Sequence, residues 1–99
     1  MNEIDLKLLS MAEKYVWWKA PKSVLKDISY FLAQVMTIGA LEDVAWIVTY
    51  FGKEKLREVL KNPPVGVFNG RSWYFWHYWL GLAMKEDEIP SIPKREFLC

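Results

Sequence analysis

The 99-residue sequence contains a single cysteine and a single histidine. An intramolecular disulfide and a zinc site built from Cys and His ligands are therefore excluded for this chain. An excess of one charge sign is also missing, because 13 Lys and Arg residues are balanced by 12 Asp and Glu residues. The resulting formal net charge of +1 gives no electrostatic case for a nucleic-acid partner or a membrane surface.

A basic leader and a long apolar run are likewise missing. The first residues include Glu3 and Asp5, unlike the basic start of a signal peptide. The most apolar stretch, Trp73 to Met84, is about half of the roughly 20 residues that span a bilayer. We therefore expect no membrane-spanning segment and a cytoplasmic location.

Helical periodicity dominates what is present. Hydrophobic residues make up 53% of the chain and charged residues 25%, a balance typical of one globular domain. Apolar residues recur at three- and four-residue steps in the first two segments, as Ile4, Leu8, Met11, Tyr15 and Trp18, and then as Val24, Ile28, Phe31, Val35 and Ile38. That spacing predicts amphipathic helices. No segment alternates with a period of two, so β-strands are not expected.

Proline and glycine divide the chain into helices. Pro21 is expected to begin the second helix, and Gly39 to end it in a left-handed conformation. A third helix is predicted from Leu41 to Phe51, a short fourth around 56–60 and a fifth over 72–82. In the third, one face carries Leu41, Val44, Val48 and Phe51. These patterns predict an all-α fold, a small bundle of four to five short helices over residues 1–84.

The C-terminal residues 85–99 are predicted to form an extended tail. Pro90 and Pro93 are spaced by three, which discourages a helix. The apolar residues of the tail are Ile89, Ile92, Phe97 and Leu98. A purely solvated tail would not need them, so we expect these side chains to dock on the bundle or on a partner.

The fifth helix is the strongest functional feature of the sequence. Its aromatic residues follow one another almost without interruption from Trp73 to Trp79, although a bundle helix normally keeps a polar face. The spacing allows Trp73, Trp76 and Leu80 to face the core. A domain of this size cannot easily bury the others, and Tyr and Trp are enriched at binding hot spots. We therefore predict a partner-binding or self-associating surface, which includes Arg71, Trp73, Tyr74, Trp76, Tyr78 and Trp79.

Two other function classes stay open. The third and fourth helices, joined at Gly52, have the outline of a helix-turn-helix. The cations that would contact DNA phosphates are Lys53, Lys55, Arg57 and Lys61. Their charge is offset by nearby acids, which disfavours nucleic-acid binding: Glu42, Asp43, Glu54 and Glu58.

A ribonuclease is the other open class. Arg71 and His77 are spaced like the arginine and histidine of HEPN-type ribonucleases, which cut RNA without a metal. Such a His could move protons and the Arg could stabilise a phosphorane.

A broader resemblance covers roughly Tyr15 to Leu82. Its pieces are Trp17-Trp18, the stretches 39–44 and 50–60, and Arg71 followed by Phe75-Trp76. In order and spacing they resemble small prokaryotic proteins that are encoded beside AbiEii-type nucleotidyltransferase toxins and are regarded as their antitoxins. The resemblance implies a protein that is not an enzyme and that binds and restrains such a toxin. No metal or cofactor is expected, because His77 and Cys99 have no companion ligands in the sequence. A homodimer is the other expected assembly.

Overall fold

The computed structural model describes residues 2–92, and in that range it contains α-helices and no strand. The predicted all-α bundle is confirmed, with six α-helices. These are α1 (Glu3–Tyr15), α2 (Pro21–Lys26), α3 (Ile28–Ile38), α4 (Leu41–Phe51), α5 (Lys53–Lys61) and α6 (Gly70–Trp79). One 3-10 turn follows at Glu86–Glu88. The rest of the predicted extended tail, including Pro93, Phe97 and Leu98, lies outside the described residues.

The additional helix arises because the predicted second helix is interrupted at Asp27. The backbone there is not helical, with φ −108° and ψ 79°. The Asp27 carboxylate accepts a hydrogen bond from the Tyr30 backbone N–H at 3.2 Å, so the residue ends α2 and caps α3. Asp is a strong N-cap residue, because its side chain satisfies a free N–H of the first turn. The apolar stripe continues across this interruption, which is why periodicity alone predicts one helix.

Gly39 ends α3 for a different reason from the one predicted. Its φ is −68°, so the expected left-handed conformation is wrong. A Cβ atom at this position would collide with the Val35 carbonyl oxygen of α3 and lie 3.1 Å from Val44 Cγ2 of α4. Glycine therefore supplies space for the close approach between the end of α3 and the start of α4.

The α4–α5 junction consists of Gly52 alone. Its φ of 85° and ψ of 159° lie in a region that is open almost only to glycine. The sharp turn lets α5 begin at Lys53, directly after α4 has ended at Phe51.

Replacing Gly52 with alanine should reduce the free energy of unfolding by about 1–2 kcal/mol, because an L-residue is strained at this φ. No heavy atom lies within 4 Å of a Cβ built at Gly52, so the expected loss is one of backbone conformation. Gly70 is a matched control, since its Cβ site is equally open and its φ is not in the left-handed region. Urea denaturation followed by circular dichroism would measure both; equal stabilities of Gly52→Ala and Gly70→Ala would contradict the prediction.

Helix α3 is the centre of the bundle. It packs against α1, α2, α4, α5 and α6, and its Phe31, Leu32 and Val35 are fully buried. The molecule extends 44 × 37 × 19 Å, so its thinnest dimension is about two helix diameters. Within residues 2–92, none of the helices combines the length and the apolarity that a membrane crossing requires.

Candidate partner-binding groove

Helix α6 starts at a side-chain cap and is fixed to the core by two indoles. The Asn69 side chain accepts the Ser72 backbone N–H at 2.8 Å. Trp73 and Trp76 are 2% and 3% exposed. The Trp76 indole N–H donates to the Met36 carbonyl oxygen at 2.8 Å, which ties α6 to α3. The Trp73 indole N–H donates to the carbonyl oxygen of Pro90, also at 2.8 Å.

The opposite face of α6 is aromatic and open to solvent. Of the six residues predicted to bind a partner, Arg71, Tyr74, Tyr78 and Trp79 lie on this outer face, whereas Trp73 and Trp76 are buried. Their role in binding a partner stays a prediction. The predicted set of binding residues did not include Phe75, which is 51% exposed, although the aromatic run and the broader resemblance both contain it. Its spacing of four residues from Trp79 places both rings on one stripe.

A groove separates α6 from α4. The α4 wall is formed by Leu41, Val44, Ala45, Val48 and Thr49, and the α6 wall by Phe75, Trp76 and Trp79. The enclosed volume is about 310 Å³. A second cavity of about 460 Å³ shares Leu41, Val44, Phe75 and Trp76 with the first and continues to Arg71. We call the continuous depression the α4–α6 groove.

Helix α4 presents one face to the bundle and another to the groove. Asp43 and Ile47 are buried and face the bundle. The predicted common face is only partly present, because Phe51 is partly buried against the core and does not line the groove. Its other members, of which Leu41 is 86% exposed, line the groove: Leu41, Val44 and Val48. Helices α4 and α6 both pack on α3.

The buried end of α4 is held by a charged cluster that the sequence reasoning missed. The Asp43 side chain is 5% exposed. It accepts hydrogen bonds from the Tyr15 hydroxyl at 2.5 Å and from the ammonium groups of Lys7 and Lys14 at 3.1 Å. The Tyr15 hydroxyl oxygen in turn accepts the Ala40 backbone N–H at 2.9 Å. These contacts join α1 to the start of α4. The available signal was that Lys7 and Lys14 lie seven residues apart, on one face of α1.

The cluster shifts the protonation equilibria of its members. The Tyr15 hydrogen bond, supported by the two lysines, lowers the pKa of Asp43 from 3.8 to about 2, against the opposing effect of burial. The hydrogen bond to Asp43 is the main cause that raises the pKa of Lys14. Asp43 is therefore ionised at neutral pH and contributes to the stability of the fold.

The ribonuclease hypothesis required Arg71 and His77 to act together. His77 is 3% exposed, and its Nδ1 lies 2.7 Å from the Trp73 carbonyl oxygen, to which it donates. Its ring also packs edge-on against the Trp73 ring, with centroids 4.4 Å apart. Arg71 is exposed on the other face of α6. Within one chain the two side chains thus point away from each other, and the imidazole is oriented as a core group.

The helix-turn-helix hypothesis concerned the cations of α5. Arg57 donates from Nε to the Leu80 carbonyl oxygen at 2.8 Å and pairs with Glu54. Lys55 pairs with Glu58 at 3.4 Å. Two of the four cations that would contact DNA phosphates are therefore engaged within the protein.

The chain after α6 partly returns to the bundle. Ile89 and Ile92 are partly buried and pack against the core cluster, on either side of Pro90, whose carbonyl oxygen accepts the Trp73 indole N–H.

Across residues 2–92, no group of three His, Cys, Asp or Glu side chains is arranged to hold a metal ion. No protein-family model, curated protein or solved structure matches the chain. Its function is therefore inferred from the groove and the side chains that line it.

Proposed function

We propose that this protein is a protein-binding module that uses the α4–α6 groove, and that its partner is a nucleotidyltransferase-type toxin that it restrains. The observation that carries the binding function is the exposed aromatic wall of α6 opposite the apolar wall of α4. The identity of the partner is supported by the resemblance of residues 15–82 to antitoxins of such toxins.

The groove has the properties of a binding hot spot. Phe75 and Trp79 are 51% and 44% exposed, yet each is fixed by an edge-to-face contact with the buried Trp76 ring. Rigid aromatic side chains lose little conformational entropy when a partner covers them. They also contribute large apolar areas, at about 25 cal/mol per Å² removed from water. Contiguous exposed apolar surface of this kind typically marks an interaction site.

Restraint of the toxin requires only binding, with no chemistry by this chain. A bound module can cover the nucleotide site or the acceptor site, or it can hold the toxin in an inactive conformation. This proposal assigns no catalytic role to His77, whose imidazole is buried beside Trp73.

Replacing Phe75 with lysine should weaken binding to the toxin at least tenfold, because it removes an exposed apolar ring and places a charge in the groove. Leu6→Lys is the matched control: Leu6 is 56% exposed, but it lies on α1 and does not line the groove. Isothermal titration calorimetry with the purified toxin would give both affinities. Circular dichroism should show unchanged helical content in both variants. Equal loss of affinity in the two variants would place the binding surface elsewhere.

A co-expression experiment separates the function classes. The chain should relieve the growth defect that the toxin causes, and Phe75→Lys should relieve it less. The pure protein should not cleave RNA in metal-free buffer; cleavage that disappears in His77→Ala would instead support the ribonuclease. Salt-sensitive binding to duplex DNA that is weakened by Lys55→Glu would support a DNA-binding regulator.

A further inference from the structure

Two cations mark the ends of the α4–α6 groove. Arg71 lines the end where α4 begins, together with Leu41 and Asn69. At the other end, the ammonium group of Lys53 lies 5.0 Å from the centroid of the Trp79 ring. Among the salt bridges of residues 2–92, none involves Arg71 or Lys53. Of the residues that the structure describes, no acidic one lines either part of the groove.

From this arrangement we propose that the groove receives an amphipathic α-helix of the partner protein, with one carboxylate beside Arg71 and another beside Lys53. The inference rests on the proposed function, because it specifies what the same groove binds. It adds the secondary structure, the length and the charge pattern of the partner segment.

The occupant is a helix because the groove offers few backbone groups to pair with. Both walls are helices, whose N–H and C=O groups are bonded internally beyond their first and last turns, and residues 2–92 contain no strand edge. An extended segment buried there would leave its own backbone groups without partners, at a large cost in free energy. A helix satisfies its backbone internally and presents apolar side chains at i, i+3 or i+4, and i+7.

The dimensions of the groove set the length of that helix. The α4 wall runs from Leu41 to Thr49, which corresponds to about 12 Å at 1.5 Å per residue. A segment of about two to three turns fills this distance and has its ends near the two cations. Its apolar side chains contact Leu41 near one end, Phe75 between the ends and Trp79 near the other end.

The cations select acidic ends over basic ends. A carboxylate beside each cation gains favourable Coulomb energy at the rim, where like charges would repel. A nucleic acid is a poorer fit, because two cations separated by an apolar floor do not follow a phosphate backbone.

Three synthetic peptides of about 12 residues test the inference. The first has leucines at helical spacing with a Glu near each end, and the second has Lys at the same two positions. In both, one charged end agrees with the helix dipole and one opposes it, so their intrinsic helicities match. The third is the acidic peptide with a central proline, which prevents a continuous helix. Nuclear magnetic resonance titration of the isotope-labelled full chain measures each affinity.

The acidic peptide should bind at least tenfold more tightly than the basic one and shift the signals of Phe75 and the Trp79 indole. The proline peptide should lose at least tenfold in affinity. The double variant Lys53→Glu/Arg71→Glu should prefer the basic peptide. Both new glutamates lie in the first turn of a helix, α5 or α6, where the dipole favours acids, so the variant should fold.

Equal binding of the acidic and basic peptides, an unchanged preference in the double variant, or no binding at about 1 mM peptide would overturn the inference. A dimer in sedimentation experiments that Phe75→Lys converts to a monomer would show that a second copy occupies the groove, which also overturns it. The experiments distinguish failure of this inference from failure of the proposed function. A toxin released by Phe75→Lys but unaffected by the double variant contradicts only the acidic helix, whereas peptide binding without toxin binding contradicts only the toxin as partner.

Discussion

Replacing Trp76 with alanine is expected to destabilise the protein by about 3–5 kcal/mol, whereas Trp79→Ala should cost about 1 kcal/mol. The two tryptophans lie three residues apart on α6, but Trp76 is 3% exposed and Trp79 is 44% exposed. Truncation of Trp76 leaves a cavity beside α3 and leaves the Met36 carbonyl oxygen without its indole donor. Truncation of Trp79 removes mainly a ring-edge contact with Trp76 and the contact between its ring and the Lys53 ammonium group.

Guanidinium denaturation followed by far-ultraviolet circular dichroism would measure the difference. A loss of about 5 kcal/mol can unfold a small domain completely, because total stabilities are about 5–15 kcal/mol. In that case Trp76→Phe and Trp79→Phe provide the comparison, since phenylalanine keeps most of the apolar volume while it removes the indole donor and part of the ring. Similar losses at both positions would show that the two rings are equally buried, in contradiction to the structure.

Replacing Asp43 with asparagine should lower the stability at neutral pH by about 2 kcal/mol. The pKa of Asp43 is lowered from 3.8 to about 2 in the folded protein, and each pKa unit corresponds to about 1.4 kcal/mol. Most of this is expected to come from the Tyr15 hydroxyl, since Lys7 and Lys14 are 39% and 56% exposed and water screens their ion pairs. Glu42→Gln is the control, because Glu42 is the exposed neighbour in the same turn of α4.

The same carboxylate predicts an acid dependence of stability. A group whose pKa is lowered by folding stabilises the native state above its unfolded pKa, which is 3.8 here. That contribution is fully present at about pH 5 and above, which is roughly one pH unit above the unfolded pKa. It is lost as the pH falls from about 4 towards 2. Denaturation curves of Asp43→Asn should therefore converge with those of the unaltered protein near pH 2. A constant difference between the two across this range would contradict the prediction.

Local spacing was sufficient to predict most of the helices. The apolar periodicity located α1, α4 and α6, and it allowed Trp73 and Trp76 to face the core, where the structure places them. The predicted binding surface nevertheless included both of these buried residues together with the exposed Trp79. Periodicity could not predict the interruption at Asp27, because a single side-chain cap there ends one helix and begins the next. The common preference for glycine after a helix predicted a left-handed Gly39, whereas the role of this glycine depends on the close approach of Val44 from α4.

The candidate site could be predicted only in part, because it depends on contacts between distant residues. The aromatic excess of α6 indicated a surface, but the groove requires α4 to lie beside α6, which no local pattern specifies. Asp43 could be assigned only to a helix start, since its partners Tyr15 and Lys7 lie 28 and 36 residues away in the chain.

The Asp43 cluster has a consequence for the kinetics of complex formation. It anchors the start of α4 from the side opposite the groove, through Tyr15 of α1 and the Ala40 backbone. The wall that carries Leu41 is thus immobilised before any partner arrives, and the entropy of ordering it has already been lost during folding. Most of the conformational entropy that is still lost on binding is therefore that of the partner segment. Loosening α4 through Asp43→Asn should therefore shorten the lifetime of a complex, even though Asp43 does not line the groove.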